Sequence, residues 1–273
     1  MSRRWPPAAG RFAGSIAFVT KHPGAELSAA AHSGAEPSGA EPSAGYPGLV
    51  IAVDGPAGSG KSTAARGVAR ALGLRYLDTG STYRALTWWL LAHGQDISDP
   101  DAVAAVAGRP VIEAGTDPDA PQIRVDGRDV AGLIRTREVS NAVSAVASVP
   151  EVRRHLIAMQ RRIIAEALAA GAGIVAEGRD IGTAVAPDAR VKVFLTATET
   201  ARARRRTADL AADPAVTVAV TRAEQARRDR SDAPQTARAA DAVEIDTTAL
   251  GLDDVISEIV ALADSRKAGA WTP

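Results

Sequence analysis

A glycine-rich stretch set between two apolar patterns constrains the fold of this chain more than any other feature. Residues 55–62 read GPAGSGKS and match G-x-x-x-x-G-K-[ST]. Before them, the run LVIAV (49–53) is apolar and β-branched like a buried strand, and after them apolar residues recur at helical spacing over 61–72. A glycine turn between a strand and a helix predicts a phosphate-binding loop (P-loop) within an α/β fold.

The residue types of this P-loop suit a bound nucleoside triphosphate. Glycines let the backbone turn tightly and point consecutive N–H groups inward, which makes a cradle for a phosphate. Lys61 is a mobile positive charge for the β- and γ-phosphates, the Ser62 hydroxyl is a candidate Mg²⁺ ligand, and Thr63 can donate to the α-phosphate. ATP and Mg²⁺ are therefore the expected cofactors, with Ser62 as the metal-binding residue. The predicted ATP-binding residues are Gly55, Pro56, Ala57, Gly58, Ser59, Gly60, Lys61, Ser62 and Thr63.

Charge and cysteine content narrow the function classes. The 273 residues include 32 Lys or Arg, 32 Asp or Glu and no Cys. A chain without net charge offers no broad basic face to nucleic acid, and a chain without Cys has no disulfide, thiolate nucleophile or Cys-bound zinc. No apolar run approaches the roughly 20 residues of a membrane span. We expect a cytoplasmic monomer that acts on small molecules, with no nucleic-acid or membrane partner.

Five apolar runs separated by helical patterns predict a doubly wound parallel sheet. The run at 49–53 is followed by LRYLD (74–78), GIVAEG (173–178), RVKVFLTA (190–197) and AVEID (242–246). Helical patterns lie between or after these runs, at 61–72, 80–93, 151–170, 198–210, 217–229 and 252–263. The predicted fold class is therefore α/β, with a P-loop NTPase-type, doubly wound, five-stranded parallel sheet.

Composition also divides the chain into segments. The N-terminal stretch is rich in Ala, Gly, Pro and Ser, and has too little apolar surface to offset the entropy of ordering. A proline-rich stretch with the alternating sequence QIRVDGRDV interrupts the strand–helix order and predicts an insertion with short strands. The predicted division is a disordered tail (1–46), a P-loop core (47–95 and 151–265), an inserted region (96–150), a short lid (202–222) and a C-terminal tail (266–273).

Two polar blocks follow predicted strand ends, where ligands bind in sheets of this kind. In DTGSTYR (78–84), Thr79 can cap a helix, and Arg84 lies one turn further on, within reach of an acceptor phosphate. In EGRDIGT (177–183), Arg179 can fork onto a phosphate and Asp180 offers an acceptor carboxylate. The alternatives are a capped helix with a surface Arg and a loop ion pair.

Two arginine-rich helical patterns lie towards the C-terminus. ARARRRTADL (201–210) places Arg202, Arg205 and Arg206 on neighbouring helix positions with no acid among them. This bias favours a cluster that closes over the ATP phosphates, adds positive charge at the transferring group and excludes water. RAEQARRDRSD (222–232) adds Arg228 and Asp232. Ordinary surface helices are the alternative reading of both patterns.

Taken together, these blocks resemble the bacterial cytidylate kinase family from about Leu49 to Leu262. The stretches that carry the resemblance are IAVDGPAGSGKST, LDTGSTYRA, VDGRDVAGLIRTREVSNAVSAVASVPEVR, VAEGRDIGTAVAPDARVKVFLTA, ARARRR, RRDRSD and DAVEIDTT. The resemblance implies transfer of the γ-phosphoryl group of ATP to CMP or dCMP, with Mg²⁺, in pyrimidine nucleotide metabolism. It also implies that the inserted region binds the monophosphate.

Position by position, the resemblance implies roles for the site residues. Thr79, Arg84 and Arg179 would surround the acceptor phosphate, while Ser144, Arg153 and Asp180 would read the base. Arg228 would approach the phosphates and Asp232 the sugar. The predicted catalytic residues are Lys61, Arg179, Arg205 and Arg228. The predicted substrate-binding residues are Thr79, Arg84, Ser144, Arg153, Arg179, Asp180 and Asp232.

The base-reading residues also suit cytosine chemically. Its exocyclic amine is a donor for a carboxylate such as Asp180, and its O2 and N3 are acceptors for a forked donor such as Arg153. Uracil inverts the pattern at positions 3 and 4, which leaves Asp180 facing a carbonyl oxygen. An unmatched buried polar group of this kind discriminates effectively between substrates.

The segment after Asp232 departs from the family pattern. The family usually has an Arg three residues beyond this Asp, whereas this chain has Gln235, which leaves Arg238 as the candidate replacement at the sugar. The sequence therefore assigns no preference between CMP and dCMP. Three alternatives stay open: a kinase for UMP, a kinase for shikimate, and a nucleotide-gated binding protein that uses the P-loop as a switch. A GTPase switch would also need N-K-x-D, which this chain lacks.

Overall fold

Strands and helices alternate along the part of the chain that the computed structural model describes, residues 45–209 and 217–267. The strands are β1 (Val50–Asp54), β2 (Arg75–Asp78), β3 (Ile112–Ala114), β4 (Ile123–Val125), β5 (Arg128–Asp129), β6 (Ile174–Glu177), β7 (Val191–Thr196) and β8 (Val243–Asp246). The helices are α1 (Lys61–Leu72), α2 (Thr79–Ala92), α3 (Pro100–Val106), α4 (Arg137–Ala147), α5 (Pro150–Ala169), α6 (Glu199–Asp209), α7 (Val218–Asp232) and α8 (Leu252–Lys267).

The main sheet has the strand order β2-β6-β1-β7-β8, and every pair in it is parallel. This confirms the predicted five-stranded, doubly wound α/β fold. The strands β1, β2, β6 and β7 are mostly buried, as a parallel sheet covered by helices requires, whereas the edge strand β8 is largely exposed. Because β1 lies in the middle of the sheet, the P-loop that follows it emerges between the carboxyl ends of β6 and β7. That edge of a parallel sheet is where ligands bind.

Helix α1 begins and ends at glycines that adopt the left-handed conformation. Gly60 precedes it with φ 89°, and Gly73 follows it with φ 64° and donates its N–H to the carbonyls of Ala69 and Arg70. A left-handed glycine after the last turn is a common helix stop. The predicted helix over 61–72 is therefore confirmed, and its buried face packs with β1, β7 and α8 in one apolar cluster.

The region between α2 and α5 contains α3, α4 and a three-stranded antiparallel sheet, β3-β4-β5. The turn between β4 and β5 places Asp126 (φ 51°) and Gly127 (φ 77°) in the left-handed region, as tight hairpins require. The predicted short strands are present, whereas α3 and α4 were not predicted. A second apolar cluster, with Leu86, Val103 and Leu156 at its centre, packs this region against α2 and α5. The boundaries 96 and 150 stay predictions.

Parts of three predicted segments lie outside the described residues: most of the tail predicted at 1–46, residues 210–216 of the lid predicted at 202–222, and residues 268–273 of the C-terminal tail. Over the ranges 45–209 and 217–267, the helices are too short or too polar to cross a bilayer.

Candidate active site

A cleft of about 930 Å³ opens at the carboxyl edge of the main sheet. Its walls come from the P-loop, from helices α1, α2, α4, α5, α6 and α7, and from the loop after β6. The structure brings most of the predicted site residues to this one cleft: Ala57, Gly58, Gly60, Lys61, Ser62, Thr63, Thr79, Arg84, Ser144, Arg153, Arg179, Asp180, Arg205, Arg228 and Asp232. The predicted ATP-binding residues Gly55, Pro56 and Ser59 form the back of the P-loop rather than the cleft wall.

The P-loop needs glycine at two positions for reasons of space as well as conformation. A Cβ added to Gly55 (φ 144°) would lie 2.1 Å from the carbonyl oxygen of Leu195 on β7. A Cβ on Gly58 (φ 76°) would lie 2.6 Å from Nε2 of Gln225 and 3.1 Å from the carbonyl oxygen of Arg202. The loop is therefore wedged between β7 and the helices α6 and α7, which leaves its concave face open to the cleft.

Three successive P-loop carbonyls accept hydrogen bonds from cations. Arg179 Nη1 donates to Gly55 O at 2.8 Å, and Lys61 Nζ donates to Pro56 O at 2.7 Å. Arg202 Nη1 donates to Ala57 O at 3.0 Å. Burial lowers the pKa of Lys61 to about 7, and the neighbouring Arg179 lowers it further in the same direction. The loop is thus surrounded by positive charge, as a polyphosphate site requires.

Glu177, at the end of β6, is a site residue that the sequence analysis missed. Its side chain is buried, and Tyr76 donates a hydrogen bond to its Oε1 at 2.8 Å. Burial raises the pKa of Glu177 to about 7, with Asp78 acting in the same direction. The neighbouring Ser62 hydroxyl favours the ionised form of Glu177 and acts to lower its pKa. Its position at a strand end beside the P-loop was the signal available in the sequence.

The donor set around Ser62 fits Mg²⁺. Over the described ranges, no group of three or more His, Asp or Glu side chains is arranged to hold a metal ion. Mg²⁺ does not need such a group, because it keeps several waters and takes one or two protein oxygens together with substrate phosphates. The Ser62 hydroxyl and the Glu177 carboxylate supply such oxygens beside the P-loop.

The side of the cleft that the sequence analysis assigned to the acceptor phosphate carries several cations. Arg84 Nη1 donates to Ile134 O at 3.1 Å and to Ser140 Oγ at 2.9 Å, which places its guanidinium against α4. Burial lowers the pKa of Arg84 to about 9, and the positive charges of Arg228 and Arg206 lower it in the same direction. Burial and Arg179 likewise lower the pKa of Arg228. Mutual repulsion of this kind is relieved when an anion binds between the cations.

Thr79 lies at the start of α2, where its hydroxyl donates to the Glu177 carbonyl at 2.7 Å. The Thr79 side chain therefore has its proton committed to the backbone and offers only lone pairs to a ligand. Its backbone N–H lies at a helix N-terminus, which favours an anion. The structure places Thr79 in the cleft as predicted.

The end of the cleft predicted to bind the base combines an ion pair with unpartnered buried hydroxyls. Arg153 Nη2 pairs with Asp180 Oδ2. Within the described part of the chain, the Ser144 and Tyr83 hydroxyls are buried and find no hydrogen-bond partner. Such orphaned groups are rare in folded proteins and mark a position for a polar ligand. Tyr83 was not predicted, and burial raises its pKa to about 12; its place next to Arg84 in DTGSTYR was the available signal.

The part of the cleft predicted to bind the sugar contains Asp232 and Gln235 but not Arg238. Asp232 Oδ2 accepts from Arg179 Nη2 at 3.0 Å, so Asp232 lies in the cleft as predicted. Gln235 also lines the cleft, whereas Arg238 pairs with Glu244 at 3.5 Å and lies outside the cleft wall. Gln235, and not Arg238, therefore occupies this part of the cleft wall, and a role of Arg238 at the sugar stays a prediction. A short helical turn (233–235) directly follows α7, and this turn places Gln235 at the cleft wall.

The arginine cluster of α6 divides between two environments. Arg205 and Arg206 line the cleft, and Arg205 Nη1 is held by a bond to Thr247 Oγ1 at 2.9 Å. Arg202 is buried instead, because Asp229 of α7 neutralises it and Ala57 O accepts from it. The prediction that all three arginines cover the phosphates is therefore wrong for Arg202, which joins α6 and α7 to the P-loop.

Comparison of the sequence with known proteins identifies a family. The family model described as "Cytidylate kinase" matches residues 51–265. A cytidylate kinase from Streptomyces avermitilis is 51% identical over 226 residues, covering 81% of this chain and 95% of the relative. One from Streptomyces coelicolor is 52% identical over 227 residues (82% and 96%), and one from Rhodococcus opacus is 47% identical over 224 residues (80% and 96%).

Proposed function

Since the chain belongs to the cytidylate kinase family, we propose that this cleft transfers the γ-phosphoryl group of ATP to CMP or dCMP, giving ADP and CDP or dCDP. The observation that carries the proposal is the meeting of two sites in one cleft. The P-loop with Lys61 supplies the donor site, and the Arg153–Asp180 pair with the orphaned Ser144 hydroxyl supplies the acceptor site.

The acceptor site suits cytosine because its donors and acceptors are already arranged. Asp180 is held by Arg153, so a carboxylate oxygen is available to accept from the exocyclic amine and the Arg153 fork to donate to O2 and N3. The buried Ser144 hydroxyl gains a partner when a polar base edge binds beside it. UMP would leave the Asp180 carboxylate against a carbonyl oxygen, and that mismatch supports selectivity for CMP.

Alignment and charge neutralisation carry the reaction. Phosphoryl transfer needs donor and acceptor oxygens in line and positive charge at the transferring group, and it needs no covalent intermediate. Arg179 contacts the P-loop through Gly55 O and α7 through Asp232, so it lies between the donor and acceptor halves. Lys61 donates to a neutral carbonyl in this structure, and a phosphate oxygen is a stronger acceptor for the same ammonium.

Ser62 and Glu177 would hold Mg²⁺, which supplies charge neutralisation at the ATP phosphates when it is bound. Tyr76 donates to Glu177 and fixes the direction of its carboxylate. Such supporting hydrogen bonds orient ligands around a metal. The monomeric state, the cytoplasmic location and the lack of a nucleic-acid partner stay predictions from the sequence.

An assay of acceptor-dependent ADP release tests the proposal and separates it from the alternatives. The purified protein is supplied with ATP and Mg²⁺ and with CMP, dCMP, UMP, AMP or shikimate in turn. We expect rapid ADP release with CMP or dCMP and slow release with the other three. Fastest turnover with UMP or shikimate would reject the proposed acceptor, and nucleotide binding without turnover on any acceptor would indicate a switch.

A further inference from the structure

Asp54, the last residue of β1, makes a contact that no step of the proposed reaction uses. Its side chain is buried, with 4% of the residue exposed. Its Oδ1 accepts from the Ile181 backbone N–H at 2.8 Å, and its Oδ2 accepts from the Gly182 backbone N–H at 2.8 Å. One carboxylate therefore holds two consecutive N–H groups of the loop that follows β6.

The two neighbours of Asp54 hold the same loop. The Gly178 N–H donates to Val53 O at 3.0 Å, and Arg179 Nη1 donates to Gly55 O at 2.8 Å. Residues 53–55 thus accept hydrogen bonds from residues 178, 179, 181 and 182, and not from Asp180. The Asp180 side chain is left to pair with Arg153 at the base end of the cleft.

From this geometry we propose that Asp54 is a positioning residue for acceptor recognition: it sets where Asp180 and Arg179 stand relative to the P-loop. The inference rests on the proposed function, because it assigns the base-reading role to Asp180. Asp54 touches no reacting atom. It acts through the backbone of Ile181 and Gly182, and it belongs to the strand from which the P-loop starts.

A carboxylate suits this contact better than any neutral side chain. An ionised carboxylate accepts through two oxygens at once, whereas Asn offers one oxygen and presents an NH₂ group to the second N–H. The loop is also irregular: Asp180 has φ −144° and ψ 31°, and residues 181–185 form one π-helical turn. Turns of this type lack the regular pairing of an α-helix and often occur at functional sites, so their N–H groups depend on a partner from elsewhere.

The surroundings of Asp54 disfavour its ionised carboxylate overall, which raises its pKa. Burial disfavours its ionised form, and Asp180 repels it, while Lys61 and the two N–H groups favour it. The aliphatic part of Lys192 covers Gly182 on the far side, and the Lys192 ammonium pairs with Asp241 instead of Asp54. A buried acid without a cationic partner in direct contact is expected where its geometry serves the site.

The test is the Asp54→Asn variant, which removes one acceptor oxygen and keeps the shape. We measure kcat/KM with CMP and with UMP, and the KM for ATP. The ratio of kcat/KM for CMP to that for UMP should fall roughly 10-fold, the loss that one charge-assisted hydrogen bond predicts. The KM for ATP should change less than about threefold, since the P-loop N–H groups and Lys61 are retained. Inactive or unfolded protein lowers both rates equally and cancels from the ratio.

Asp99→Asn is the matched control. Asp99 also accepts from two consecutive backbone N–H groups, those of Asp101 and Ala102, but at the start of α3 and outside the cleft. Its ratio should equal that of the unmodified protein. Should Asp54→Asn fail to fold, Asp54→Glu keeps the charge but extends the side chain by one CH₂ group, which moves both oxygens from the positions that accept from Ile181 and Gly182. The ratio should then fall as well.

An unchanged CMP-to-UMP ratio in the folded Asp54 variant, with the unmodified protein preferring CMP, would overturn the positioning role and leave the proposed function intact. No preference for CMP in the unmodified protein would overturn the proposed function and this inference together.

Discussion

At the scale of single residues, burial shifts the pKa values of several ionisable side chains in and next to the cleft away from their ordinary values. The pKa is lowered for Lys61 and Arg84 and raised for Asp54 and Glu177. Local sequence identified the two cations, because Lys61 belongs to a spaced motif and Arg84 follows a strand end. Asp54 instead contacts Ile181 and Gly182, which lie 127 and 128 positions further along the chain. Local sequence patterns do not encode such distant contacts.

Replacing Lys61 by Ala should remove most of the activity without unfolding the protein. Lys61 is the cation at the centre of the P-loop, and loss of one charged group at a transferring phosphate costs roughly 10²–10³-fold in kcat. Steady-state kinetics measure this loss, and circular dichroism checks the fold. Arg75→Ala is the control, since this exposed cation of β2 bonds to Thr116 outside the cleft. Turnover of Lys61→Ala near that of the control would remove Lys61 from the mechanism.

The raised pKa of Asp54, about 6, predicts a pH dependence of stability. The folded state binds this proton more tightly than the unfolded chain, whose Asp pKa is about 3.9. The stabilisation from the protonated form is therefore complete below about pH 4 and is lost as pH rises through 6. Relative to Asp54→Asn, the free energy of unfolding should rise by about 2 kcal/mol from pH 7 to pH 4. Urea unfolding of both proteins across this range gives the difference, and a flat difference would contradict the assignment.

At the scale of elements, α6 and α7 are joined to each other and to the P-loop through Arg202. The pair Arg202–Asp229 is largely buried, while a second pair between the same two helices, Arg222–Glu199, is more than half exposed. The sequence predicted both helices and their arginines. It did not separate Arg202 from Arg205, because residues three apart on a helix face similar directions and only the packed partner decides which is buried.

The two ion pairs make a matched comparison. Arg202→Ala leaves Asp229 poorly compensated and should lower the free energy of unfolding by about 2 kcal/mol, and it should weaken ATP binding because Ala57 O loses its donor. Arg222→Ala should cost less than about 1 kcal/mol. Denaturant unfolding and ATP titration of the two variants provide the measurement. Equal losses in both variants would show that the buried pair has no special role.

The sequence predicted the boundaries of an element correctly where one clear signal marks them, such as an apolar run or a glycine. The strands are within one residue of their apolar runs, and α1 ends at its glycine. Helices α3 and α4 were missed, although Asp99 followed by Pro100, and Thr136, cap them in the usual way. Both helices are short and bury side chains against α2 and α5 rather than the main sheet. The prolines of this region indicate breaks in the strand–helix order, and the helical spacing was not followed.

At the scale of the whole molecule, different apolar clusters hold the two halves of the cleft. The cluster of β1, α1, β7 and α8 supports the P-loop. The cluster of α2, α5 and the inserted region supports Ser144 and Arg153, which lie on α4 and α5. The loop after β6 joins the halves, since Arg179 contacts Gly55 and Asp180 contacts Arg153. The sequence predicted each half from its motifs, while their meeting in one cleft required the fold.

The central claim is that this cleft reads cytosine through Asp180, and the effect of Asp180→Ala on acceptor selectivity tests it most directly. The measurement is kcat/KM with CMP and with UMP for the unmodified protein and for the variant, under identical ATP and Mg²⁺. We predict a strong preference for CMP in the unmodified protein and a fall of at least roughly 10-fold in that preference in the variant. Equal preference for CMP in both proteins would contradict the account.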